Sequence, residues 1–583
     1  MDYQPPLADN LHLLLQVLDA PGQLAPAAGA EASDADLMRQ VLDEASRFVG
    51  GVVAPLRQAG DAPGCRFEAG RVTTPPGFRE AYQAFWQAGW PALSCAPEDG
   101  GQGLPWVLEG VLYEWLSAAN HGWTMAPGLL HGAYECLRHH GSGALRDAWL
   151  PKIASGEWLA TMCLTESHAG SDLGLVRTVA RPQPDGSFRV SGSKIFISGG
   201  EHDLTDNIVH LVLARLPDAP AGPKGLSLFL VPKVLQDGKR NAAWCDRIEE
   251  KMGLHGSPTC AMRFDEAIGW LVGEPHRGLA AMFLMMNAAR LHVALQGVGL
   301  LDAALQLARA YAAERRQMRV PGPRDANHAA DPIEGHPAVR RILQTQQAWV
   351  DAGRLLAYQT GIELDLARQH PDAGRRESAQ LWAGLLTPVL KAAWTDQGFH
   401  GASDCLQVFG GHGYVREWGV EQIVRDARIA MIYEGTNEIQ AIDLLVRKVL
   451  PDGGAGLARV LERLAGELSG ADKDRLREGG RRLLQATRDI ARRAGSDPQA
   501  PYWVAGDYLR ATALLLMAWA WSRMAPAGAP ARWQEPAQAF WRWIWPEFEL
   551  RLGLVEAEGR QAPHDAPGVP APGTGPLPTN PQP

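Results

Sequence analysis

Residues 158–272 constrain the fold most, because their hydrophobic pattern has a different period from the sequence on either side. Short runs of β-branched and aromatic residues occupy 176–180, 188–198, 208–216, 226–234 and 260–264, each of strand length and too short for an amphipathic helix. Asp185-Gly186, between the first two, is a residue pair that favours a tight hairpin turn, so the segment predicts a compact antiparallel β domain. Helical periodicity precedes it over 36–155, interrupted by a Gly- and Pro-rich turn at 96–105. Helical periodicity returns from Gly278 to Leu450, with a loop at 320–335 where Pro, Gly and Asp accumulate. Four more amphipathic stretches fill 457–560, and a Pro-rich tail at 561–583 is predicted to be disordered. The chain is therefore expected to be mainly α with a central β domain, in units of 1–157, 158–275, 276–450 and 457–560.

Charge and cysteine usage narrow the partners. A net charge of −9 over 583 residues argues against nucleic acid or an anionic membrane as the main partner. The seven cysteines show no paired metal spacing, so no metal site is expected, and their odd, scattered set suggests reduced thiols in a cytoplasmic compartment. The N-terminus lacks a basic run before an apolar one, and no signal peptide is read there. The apolar stretch 279–310 is interrupted by Asn287, Arg290, His292 and Gln296, which makes it a buried bundle helix rather than a membrane span. Tryptophans 519, 521, 533, 541, 543 and 545 read as core or interface.

Chemistry concentrates at Ile432-Tyr433-Glu434-Gly435-Thr436-Asn437-Glu438-Ile439-Gln440. Ile439, Ile442, Val446 and Val449 recur at helical spacing, with Asn437 expected as N-cap and Gln440 completing a capping box. Glu434 then stands in a Gly-containing turn directly before a helix, where amides can stabilise an oxygen that becomes negative. Spacing alone favours a plainer reading, an exposed turn glutamate. What favours a catalytic base is the company it keeps: Met162-Cys163-Leu164-Thr165-Glu166-Ser167 with Ala169-Gly170-Ser171-Asp172, then Lys194 to Gly200, Glu314-Arg315-Arg316, Gln407 to Tyr414 and Val424 to Arg428. In order and spacing these motifs resemble the acyl-CoA dehydrogenase family over roughly residues 40 to 450. Tyr3 to Asp9, Gly199 to Asp203 and Met285 to Leu291 resemble a long branch with an additional C-terminal domain.

The resemblance implies an N-terminal helical domain, an antiparallel β-barrel, a C-terminal helical bundle and an additional helical domain. It also implies FAD held without a dinucleotide fingerprint, since no Gly-x-Gly-x-x-Gly follows a strand here. By resemblance Met162, Leu164, Thr165 and Ser171 line the flavin, with Phe196, Ile197 and Ser198 on its other side. Arg315, Gln407 and Gly411 resemble residues that reach the FAD of a neighbouring subunit, which implies a homodimer; Thr436 and Glu438 are likewise cofactor residues. Ser171, Asn287, Arg290 and Gly435 are expected at the CoA thioester. His168 and His412 are read as structural. Implied partners are an acyl-CoA, with 3-(methylthio)propanoyl-CoA or another short-chain thioester foremost, and an electron-transfer flavoprotein. A medium- or long-chain dehydrogenase, an acyl-CoA oxidase and a DNA-binding stress-related relative stand as alternatives.

Overall fold

The computed structural model describes residues 2–322 and 328–560, with no side chain described at 30, 284, 287 and 288. Asn287 as a substrate residue, and the disorder expected of 561–583, thus lie outside the described residues.

A hairpin of β1 (Arg66–Glu68) and β2 (Arg71–Thr73) interrupts the N-terminal helices, where only helix is expected. Its Val72 is buried in the hydrophobic cluster of the barrel, with Phe67 packed against that cluster, so the hairpin belongs energetically to the β domain. The barrel strands are β3 (Leu159–Cys163), β4 (Val179–Pro182), β5 (Phe188–Ser198), β6 (Ile208–Arg215), β7 (Leu226–Pro232), β8 (Ala243–Ile248) and β9 (Thr259–Val272). β4, β5, β9, β7 and β6 pair in that cyclic order and close the sheet, while β3 continues along the edge of β6 and β8 along the edge of β9. Asp185 and Gly186 do form the β4–β5 turn, with Gly186 at φ 83°. The expectation of an all-antiparallel domain needs correction, because β3 and β6 run parallel. The β4–β5 hairpin lies between them in sequence, and such a long crossover allows the second strand to return in the same direction.

The helices that matter for the site are α1 (Trp106–Thr124), α2 (Gly278–Glu314), α3 (Pro337–Gln369), α4 (Ala373–Val408), α5 (Asn437–Ile442) and α6 (Ala500–Met524). α2 holds the one helical stretch among the described residues that is long and apolar enough to cross a bilayer, and 89% of that window is buried inside the bundle. Gly297 explains how closely α2 meets α4: a Cβ there would fall 2.4 Å from the Trp394 carbonyl oxygen. Arg354 of α3 bonds Glu114 of α1 at 2.6 Å and Asp302 of α2 at 2.7 Å, and Tyr3 donates to Asp302 at 3.0 Å. Buried charges of this kind are retained only when paired, so the network fixes the N-terminal segment and three helices in one register.

Four helical stretches follow the bundle: 455–466, 470–494, α6 and 531–560, the last running through a π-helical segment at Phe540–Ile544. Pro526, Gly528 at φ 85° and Pro530 make the loop between the last two. These helices share one continuous hydrophobic core with the bundle rather than having their own. Trp519, Trp521 and Trp533 are buried in it, and the Trp521 indole donates to the Ala348 carbonyl at 3.3 Å, which settles their role as core.

Candidate active site

The turn before α5 has two consecutive left-handed residues, Glu434 at φ 55° and Gly435 at φ 84°. Glycine adopts this conformation freely, whereas a glutamate there costs about 1–2 kcal/mol and must be held by its surroundings. Three contacts hold it. Gln440 Nε2 donates to the Glu434 carbonyl at 3.0 Å, Lys391 Nζ donates to the Gly435 carbonyl at 2.7 Å, and the Tyr433 hydroxyl donates to Gln296 Oε1 at 2.5 Å. A Cβ at Gly435 would meet Gln440 Nε2 at 2.7 Å and push aside the amide that holds the Glu434 carbonyl, which adds to the strain a side chain would have at this φ.

The cap differs from expectation. Thr436, not Asn437, is the N-cap of α5, its hydroxyl accepting from the Ile439 amide at 3.3 Å. The Asn437 side chain is drawn off towards α4, accepting from Lys391 at 3.0 Å and donating to the Ala392 carbonyl at 3.1 Å. Gln440 likewise reaches back to the turn carbonyls instead of closing a capping box. Burial pushes the Glu434 carboxyl up to about 7, against the pull of Arg290 and Lys391. A carboxylate poised near neutrality in a mostly buried setting is what a general base requires. Among the described residues the Glu434 backbone N–H donates to nothing, leaving it free for a ligand oxygen.

The segments expected to flank the flavin are brought together by β-sheet pairing. The Ile195 amide donates to the Thr165 carbonyl at 2.9 Å, and Lys194 Nζ to the Leu164 carbonyl at 2.9 Å. Beneath them Lys194, fully buried, pairs with Glu166 at 2.9 Å, and Glu166 also accepts from Arg177 N, Thr178 N and Thr178 Oγ1. This ion pair ties the loop after β3 to β5. A bulge between Lys194 and Ile197 puts Phe196 at φ 60° and leaves its ring 60% exposed. Ile197 turns the other way, into the barrel core, so only its backbone can meet a ligand. Met162 and Leu164 are half-buried, and among the described residues the hydroxyls of Thr165, Ser171 and Ser198 bond to no other group. An exposed ring, apolar neighbours and unspent hydroxyls fit a planar group with apolar faces and a polar edge, as an isoalloxazine has.

Arg315, Gln407 and Gly411 also come together, on a different face. Tyr311, one turn before Arg315, stacks on Phe409 at 4.4 Å and shares a 2.8 Å hydrogen bond with His412. Exposed Arg315, Gln407 and Gly411 therefore sit with Tyr414 (87% exposed) and Met318 (78% exposed), an apolar and cationic surface on a single chain. Among the described residues no hydrogen bond, ion pair or ring contact joins this face to the Glu434 turn. Arg290 is buried on α2, where its charge acts on Glu434. Glu438 is exposed at the start of α5, its carboxyl held below the ordinary range by its own amide and by the Thr436 hydroxyl. His412 shares its bond with Tyr311, and His168 Nε2 lies 3.1 Å from the Leu175 carbonyl.

Sequence reasoning missed Lys391, Gln296 and His121, whose Nε2 lies 3.3 Å from the Tyr433 hydroxyl. Lys391 carried a readable signal, a lone cation in the apolar run from Leu385 to Trp394. Asp426 is a clamp between bundle and barrel, accepting from the Leu254 amide at 2.6 Å.

Three domain models match in chain order: acyl-CoA dehydrogenase N-terminal domain over residues 36–157, middle domain over 161–267 and C-terminal domain over 276–449. A 3-methylmercaptopropionyl-CoA dehydrogenase of Ruegeria pomeroyi is 43% identical, over 89% of this chain and 90% of its own length. The broad-specificity linear acyl-CoA dehydrogenase FadE5 of Mycobacterium tuberculosis is 35% identical, over 84% of this chain and 82% of its own. Among solved structures, an acyl-CoA dehydrogenase from Bacillus anthracis complexed with FAD shares the fold at 19% identity, with a TM-score of 0.75 over 90% of this chain and 89% of that one. Three consecutive domain matches, and a relative of 43% identity over nine-tenths of both lengths, agree with the barrel and bundle: the chain belongs to the acyl-CoA dehydrogenase family.

Proposed function

We propose that Glu434 is the base in an FAD-dependent α,β-dehydrogenation of a short, unbranched acyl-CoA, with 3-(methylthio)propanoyl-CoA the leading substrate. The observation that carries the chemistry is the Glu434 carboxyl, raised to about 7 in a fixed left-handed turn directly ahead of α5. The Glu434 carboxylate takes the α-proton of the thioester. Its free backbone N–H polarises the thioester carbonyl, a kind of donor worth about 3–4 kcal/mol when aimed at developing charge. FAD, when bound, supplies the acceptor for the β-hydrogen as hydride. Met162, Leu164, Thr165, Ser171, Phe196, Ser198 and the Ile197 backbone hold its ring system, while Arg315, Gln407 and Gly411 serve the FAD of a second subunit. That division rests on the family resemblance of Arg315, Gln407 and Gly411, and with it the enzyme is a homodimer. Thr436 and Glu438 complete the cofactor contacts; Arg290 and Gly435 face the thioester.

The substrate reading rests on the Ruegeria pomeroyi relative, whose name specifies 3-methylmercaptopropionyl-CoA. A thioether resembles a methylene in size, so a pocket that takes it takes butanoyl- or pentanoyl-CoA with discrimination of about 1–3 kcal/mol. We place the enzyme in the cytoplasm, passing electrons to an electron-transfer flavoprotein. Steady-state kcat/KM across C4 to C16 acyl-CoAs and the thioether substrate tests the reading: the expected maximum lies at the short end, and a maximum at C12 or longer rejects it. Slow reoxidation of the reduced enzyme in air separates the dehydrogenase from an oxidase.

A further inference from the structure

Lys391 lies in the middle of α4 with no part of its side chain accessible to solvent, in a largely apolar stretch of the helix. An ammonium in such a place is costly unless its protons are taken up and a counter-charge is near. Its Nζ gives one proton to the Gly435 carbonyl at 2.7 Å and another to Asn437 Oδ1 at 3.0 Å. Asn437 is itself fixed by Thr395 Oγ1 at 3.1 Å and by its own bond to the Ala392 carbonyl at 3.1 Å. The lysine thus grips the strained turn from both sides of Thr436, and its counter-charge is Glu434.

We propose that Lys391 is a positioning residue for the base: it locks the left-handed Glu434–Gly435 turn through Gly435 and Asn437, and its charge acts on the Glu434 carboxylate. This rests on Glu434 being the base. The two groups are electrostatically linked, for Glu434 is the first favourable charge acting on Lys391, whose own value burial pulls down to about 7. The other charges facing the pair are Arg290 from α2 and Glu438 from α5. Lys448, on the turn after α5, also feels Arg290 but is held by Asp443 at 3.1 Å. Charge removal and loss of the grip are separable. Lys391→Gln keeps a donor for Gly435 and loses the charge; Lys391→Met loses both.

The test combines the pH profile of kcat/KM in the flavin-loaded enzyme with amide hydrogen exchange of residues 433–439 in flavin-free protein. Lys391→Met is expected to move the acid limb up by about one pH unit, a tenfold loss on the acid side. It should also speed exchange across the turn by about tenfold or more. Lys391→Gln should show the same limb displacement with exchange close to that of the unaltered protein. An acid limb that stays in place, or exchange that Lys391→Met leaves unchanged, overturns the proposal. If Lys391→Met does not fold, the limb position in Lys391→Gln decides alone. Glu434→Gln, run alongside, keeps the two readings apart. Activity surviving in that variant removes the base assignment itself, whereas an inactive Glu434→Gln with an unmoved limb in the Lys391 variants removes only the role of Lys391.

Discussion

Replacing Glu434 by glutamine should abolish turnover and, at alkaline pH, make the protein more stable. In the fold the carboxyl ionises only at about 7, above its ordinary value of 4.5. The native state therefore holds the proton more tightly than the unfolded chain does, and stability falls as pH rises from 4.5 through about 7. Above that range the native enzyme carries the whole penalty of an ionised, desolvated carboxylate, which at about 1.4 kcal/mol per pH unit is on the order of 3 kcal/mol. Glutamine has nearly the same volume and no charge at any pH. The pull of Arg290 and Lys391 is already contained in the value of about 7, so a gain of about 2–3 kcal/mol is expected at pH 8 and none below pH 4.5. Thermal unfolding of both proteins, equally loaded with flavin, at pH 8 and near pH 4.5 reads the difference, while turnover should fall by about 10²–10⁴-fold. A stability difference that does not change with pH, or that favours the unaltered enzyme at pH 8, would refute the assignment of a desolvated base.

Gly435→Ala places a Cβ 2.7 Å from Gln440 Nε2 at φ 84°, and kcat should fall by about tenfold or more with flavin retained; unchanged kcat would show that the turn geometry does not matter. Lys194→Met leaves Glu166 buried without its cation and should cost about 3–5 kcal/mol, read as a lowered unfolding midpoint with weakened flavin retention. On the proposed homodimer, Tyr414→Asp, on the exposed face beside Gly411, should give a monomer in light scattering and release flavin together with it; a monomer that keeps its flavin would contradict the shared site. Arg315→Ala should weaken flavin binding without altering the thermal stability of the flavin-free chain, because its side chain is exposed and holds no other element.

Much of this protein is fixed by local pattern. The β-branched and aromatic runs at 188–198, 208–216 and 226–234 became strands to within two residues, since strand propensity and turn residues act over a few positions. The helical stretches, the Asp185-Gly186 turn and the Gly-containing turn that carries Glu434 before α5 were legible for the same reason, and motif order was enough to indicate the family. Tertiary structure decided what depends on partners distant in sequence. β3 pairs parallel with β6 because of a crossover that no local pattern records. Thr436 displaced Asn437 as cap only because Lys391, 46 residues earlier, competes for the asparagine. The added helices became part of the bundle core because their tryptophans meet α3 and α4, as in the Trp521 bond to Ala348 and the edge-to-face contact of Trp382 with Trp519 at 6.0 Å. The proton affinity of Glu434 is likewise absent from its own sequence context. Burial raises it, and two cations from α2 and α4 hold it near neutrality, so it exists only once those helices have packed.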